Sequence, residues 1–146
     1  MKLITKTAAA LLLISLATAT QARNEVLQFS IADTLALEKA KEVLGEEVRF
    51  FFGDQPHPQV VRRYGEWRTN KKTNAFNKSD RQACEWVFLS ALKQLRDRAA
   101  SEGGNAVINI RSNYKNNTTS STETFDCGAG NVVAGVALIG DVVSIE

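Results

Sequence analysis

Cys84, Cys127 and His57 have the widest chemical range in this sequence. A pair of thiols can close a disulfide, hold a soft metal or exchange electrons, and an imidazole can move a proton near neutral pH. Spacing narrows these options. There is no Cys-x-x-Cys, and one His leaves a zinc site short of the four close ligands it usually takes. His57 stands between Pro56 and Pro58, which marks a loop, and no Gly-x-Ser-x-Gly accompanies it. The expectation is a loop residue with no catalytic role, no bound metal and no cofactor. A phosphate-cradling Gly-x-x-x-x-Gly-Lys is absent as well. Gly128, Gly130 and Gly135 have the wrong spacing for a dinucleotide site and precede a strand-like run, so they read as close packing. For the cysteines three readings stand: a structural disulfide, a metal or redox pair, or two separate buried thiols.

The N-terminal segment bears on that choice. Lys2 and Lys6 precede an apolar run, Ala8 to Ala17, and small residues follow up to Ala22. This is the pattern of a secretory signal peptide, with cleavage after Ala22 or Ala19. The run of ten is too short to span a bilayer, which takes roughly 20 residues. No Cys follows it to carry a lipid. The expectation is a periplasmic or secreted protein of one domain, residues 23–146, with no stable membrane anchor once processed. In an oxidising compartment paired thiols become disulfides, and this favours a Cys84–Cys127 bridge.

Charge argues against nucleic acid. The full chain has 18 Lys and Arg against 16 Asp and Glu. Removing Lys2 and Lys6 with the leader leaves the two signs equal. One local excess remains. Between Arg62 and Arg81 seven cations face two carboxylates, with Tyr64, Trp67 and Phe76 interleaved. Basic and aromatic groups together suit an anionic component, a lipid headgroup or a glycan. A solvated strand and loop explains them too, because Arg and Lys stems pack beside aromatics without any ligand. Arg62, Arg63, Tyr64, Trp67, Arg68, Lys71 and Lys72 are the candidate binding surface, expected on one exposed face.

Several elements must position these residues. Ser30-Ile-Ala-Asp33 and Ser79-Asp-Arg-Gln82 read as capping boxes. The first opens a predicted helix over 31–44, stopped by Gly45. The second opens a long one over about 80–102, stopped by Gly103-Gly104. Cys84, Val87, Phe88, Ala91, Leu92, Leu95 and Ala99 form one apolar stripe on it. Strands are predicted at 26–29, 47–52, 59–69, 105–114 and 122–127, with one or two more over 131–145. Residues 70–78 and 115–122 read as polar turns. In the strand from 105, Ala106, Ile108 and Ile110 are expected to share a face. The whole reads as α+β: a largely antiparallel sheet packed by one long helix.

The stretch from Ala91 to Val107, a helix followed by Gly103-Gly104-Asn-Ala-Val, resembles the core of small bacterial envelope domains. Among these are the Rcs-pathway stress-sensor lipoprotein and heavy-metal-binding-like proteins. Lys71-Lys72-Thr-Asn-Ala-Phe, Ala83-Cys84-Glu-Trp86, Asn113-Tyr-Lys-Asn116 and Cys127-Gly-Ala-Gly-Asn131 resemble small exported gammaproteobacterial proteins often named "excinuclease ATPase subunit". The phosphate loop that such a name implies is missing here. The sensor resemblance implies a disulfide-bonded α+β domain that contacts a protein. This chain differs in having two cysteines rather than four and no lipid-anchor Cys.

The functional expectation is a non-enzymatic exported domain that binds an envelope protein or an anionic component. A small anion- or metal-binding protein is the second reading. A hydrolase or thiol-redox enzyme is the third.

Overall fold

The computed structural model describes residues 23–146. The leader read at residues 1–22 lies outside the described residues. From there the chain runs β1 (Glu25–Ser30), α1 (Ile31–Leu35), α2 (Glu38–Leu44), β2 (Arg49–Phe52), β3 (Val60–Asn74), α3 (Asp80–Glu102), β4 (Ala106–Tyr114), β5 (Asn117–Thr119), β6 (Thr124–Ala129) and β7 (Val133–Ile145). All seven strands belong to one sheet. β7 is its spine, with β3 along one edge and β4 and β6 sharing the other. β1 extends the sheet beyond β6, β5 pairs with β4, and β2 joins β4 in parallel. Every other pairing is antiparallel. The architecture is α+β.

α3 explains which face is the core. Its stripe of Cys84, Val87, Phe88, Ala91, Leu92, Leu95 and Ala99 is wholly buried against the sheet. Ser79 Oγ accepts from the Gln82 N–H at 3.1 Å and starts the helix, and Gly103 at φ 86° ends it. Beneath the stripe the rings of Phe88 and Phe125 stack at 3.9 Å. Cys84 and Cys127 are disulfide-bonded, with Cα atoms 5.9 Å apart. The bridge pins α3 to β6. In the loop-entropy model a separation of 43 residues contributes about 4 kcal/mol. On the opposite face of the sheet Phe51, Ala106, Ile108, Val143 and Ile145 form a smaller apolar cluster.

Five local expectations are corrected. The predicted helix over 31–44 is two short helices. Leu37 is extended (ψ 141°) and separates them. At about 100° per residue, an unbroken helix would place Ala40 half a turn away from Ile31. The break lets both side chains reach the core. The strand from 59 does not stop at Thr69 but runs on through Asn74, because β7 gives it a full-length partner. Tertiary pairing overrides the polar, turn-like composition of 70–74. In β4, Asn109 has φ 50° and the register slips between Ile108 and Arg111. This bulge turns Ile110 to the helix side with Val107, away from Ile108. Finally, β6 continues through Gly128, and the polar turn over 115–122 contains the short β5. The Tyr114 ring lies so close to Gly128 that a Cβ there would sit 2.1 Å from it.

Candidate binding surface

All seven candidate residues lie on β3, but not on one face. Register settles the division. Trp67 is opposite Gly140 and Lys71 is opposite Val136, on the side covered by α3. Arg63, Arg68 and Lys72 are opposite Val143, Ile139 and Gly135, on the far side. The reason is the two-residue period of a strand, which sends neighbours to opposite faces. A bulge at Gly65 (φ 114°) inserts one residue and brings Tyr64 and Trp67 to the same side. What the seven share is an edge. β3 pairs only with β7 among the described strands, so its second edge has no strand partner.

On the α3 side Trp67 is half-buried, with the Arg98 guanidinium 3.8 Å from its ring centroid. Arg98 also reaches Glu102 at 3.4 Å. Tyr64 Oη donates toward Gly103 O at 3.3 Å and shares a hydrogen bond with Ser144 Oγ. The Arg62 guanidinium lies 5.2 Å from the Tyr64 ring centroid. Between β3 and the second half of α3 is a cleft of about 310 Å³, lined by Trp67, Thr69, Gln94, Leu95, Asp97 and Arg98, with Arg68 and Ser101 at its margin. Two buried polar atoms here have no hydrogen-bond partner, Trp67 Nε1 and Thr69 Oγ1. Composition did not single out Thr69 or Arg98. The spacing of Arg98 on the helix gives no hint of the ring it covers.

On the far side Arg68 approaches Glu66 at 3.7 Å, and Glu66 accepts from Arg111 at 2.7 Å. A second hollow, about 250 Å³, lies over Arg68, Asn70, Asn113 and Lys115. The Asp97 carboxyl, at the cleft on the α3 side, is held below its ordinary pKa. It accepts from Lys93 at 2.8 Å and from Arg96 at 2.7 Å.

His57 is exposed on the loop before β3. Its Nδ1 is 2.7 Å from Pro58 O, and its ring lies edge-on to Phe51. Among the described residues no three His, Cys, Asp or Glu side chains gather closely enough to hold a metal ion. Both cysteines are committed to the disulfide. Among the described residues no helix is long and apolar enough to cross a membrane. The bonded cysteine pair fits an oxidising compartment outside the cytosol. Compared with family models, curated proteins and solved structures, the chain matches none.

Proposed function

We propose that this is a non-enzymatic exported domain that binds an extended, acidic segment of an envelope protein as an added strand along β3. The observation that carries this reading is the free second edge of a 15-residue strand set with Arg and Lys. An open edge offers unpaired N–H and C=O groups, and an incoming strand satisfies them. Positive side chains on an edge deter pairing with a second copy of itself, so the charge selects an acidic guest. The cleft beside Trp67 supports the same reading. It opens between β3 and α3, on the side to which an added strand would send alternate side chains. The disulfide holds α3 against the sheet and lowers the ordering cost of binding. The resemblance to envelope domains that contact proteins leads in the same direction.

The test is titration with a twelve-residue peptide of alternating Glu and Val, read by Trp67 fluorescence in a Trp86→Phe background. Expected are a saturable, salt-sensitive change and slower hydrogen exchange of β3 amides. Arg63→Glu combined with Arg68→Glu should weaken binding at least ten-fold. Unchanged β3 exchange at saturating peptide, or equal affinity of the reversed variant, would overturn the reading.

A further inference from the structure

At one end of the sheet the end of β3, the β6–β7 turn and the start of β1 converge. There the structure exposes apolar side chains instead of burying them. Phe76 is 63% exposed and Val132 is 62% exposed, and Val133 beside it is also exposed. Their loops are tied together, since the Ala75 N–H donates to Val132 O at 2.7 Å. Phe76 is held outward by an ordered turn. Its N–H donates to Asn74 Oδ1 at 2.9 Å, Lys78 N–H donates to Ala75 O at 3.1 Å, and Asn77 takes φ 58°. Trp86 is exposed nearby, across a shallow hollow of about 160 Å³ that it shares with Lys78 and Lys39.

Charge surrounds this tip asymmetrically. Lys78 lies on the Phe76 turn and donates to Asn74 O. Lys72 flanks a hollow that also includes Val132 and Val133. The carboxylates at this end are already engaged. Asp80 and Glu25 pair with Arg23, and Glu85 pairs with Lys39 and Arg81. Among the described residues neither Lys72 nor Lys78 forms an ion pair. The Arg23 guanidinium donates to Asn131 Oδ1 on the β6–β7 turn.

We infer that this tip docks on an anionic bilayer surface, with Phe76 and Val132 entering the headgroup region while Lys72 and Lys78 meet lipid phosphates. One Phe and two Val cover far less than the ~800 Å² per partner of a stable protein interface. A few apolar groups within a basic ring are what an interfacial lipid contact takes. This surface shares Lys72 with the end of β3 but lies apart from Arg63 and Arg68. Arg68 lies about 20 Å along the strand from Asn74, at the strand rise per residue.

The test is co-sedimentation of the processed protein, recovered from its export compartment, with two kinds of vesicle. One is pure phosphatidylcholine. The other is phosphatidylcholine with phosphatidylglycerol at about 70:30. The expected result is binding to the anionic vesicles and little to the neutral ones. Phe76→Ser with Val132→Ser, and Lys72→Glu with Lys78→Glu, should each weaken binding at least ten-fold. Lys41→Glu with Lys93→Glu makes the same charge change on α2 and α3 and should leave binding within two-fold. Quenching of Trp86 by brominated lipid, read on Trp67→Phe protein, gives a measurement on an intact tip. Three results would overturn the inference: no binding to anionic vesicles, equal loss in the α2–α3 control, or no quenching. The peptide titration with the Arg63 and Arg68 variant reads the edge alone, so either surface can fail without the other.

Discussion

α3 and β3 contact each other, yet they are built on opposite terms. Seven residues of the helix stripe are sealed under the sheet, whereas β3 leaves most of its side chains in water and, among the described residues, has a strand partner on only one edge. The helix is fixed by burial and by a covalent bond. The strand is fixed by its backbone pairing with β7. Substitutions on α3 should therefore cost stability, and outward substitutions on β3 should cost binding. The division is wrong if the two sets of effects overlap.

The largest effect should come from Phe88→Ala. Phe88 is fully buried between Phe125 and Phe52, so the change leaves a cavity and costs about 3–5 kcal/mol. Urea melts should show the midpoint falling at constant slope. Cys84→Ala with Cys127→Ala should follow, at about 2–5 kcal/mol. The same loss on adding reductant to the unmutated chain would assign it to the bond rather than to side-chain volume. A wild-type midpoint insensitive to reductant would remove the disulfide from the stability argument.

Gly128→Ala sharpens the comparison from the far face. The added Cβ would meet the Tyr114 ring, so the ring must move. Overpacking of this kind costs about 1–3 kcal/mol. Tyr114→Ala in the same chain should recover most of that loss, since it removes the opposing atoms. By contrast, Arg63→Glu with Arg68→Glu should shift stability by no more than about 0.5 kcal/mol, as expected of exposed positions.

The same contrast explains what the sequence reveals. The α3 stripe is legible because one buried face imposes a 3.6-residue period on residue type. The cap at Ser79 and the stop at Gly103 are local chemistry, visible in four residues each. The extension of β3 is not legible, since beyond Thr69 its residues are polar and none is fully buried, so nothing forces apolar alternation. Its partner, the apolar run after Val133, is remote in sequence. The break at Leu37 and the bulge at Asn109 carry no Gly or Pro, so only the geometry of the core reveals them. Of the candidate surface, the residue types are legible. Their division between two faces turns on the bulge at Gly65 and the register against β7.

Asp97 offers the finest test, because it lines the cleft on α3 while lying half in solvent. Its hydrogen bonds to Lys93, then to Arg96, hold its pKa below the ordinary carboxylate value. A depressed folded-state pKa means that the stabilisation is present above the unfolded value, near 4, and is lost as pH falls through the lower folded one. Solvent screening keeps it small. Asp97→Asn should cost about 0.3–0.5 kcal/mol at neutral pH, less in high salt, and nothing once the pH is below the folded value. Chemical denaturation at pH 7 and at the lowest pH where the fold persists measures both ends. A cost that stays constant down to that pH would mean that Asp97 acts through packing in the cleft and not through its charge. The cleft wall would then be as rigid as the core beneath it, and the contrast between α3 and β3 would move from the helix surface to the strand edge alone.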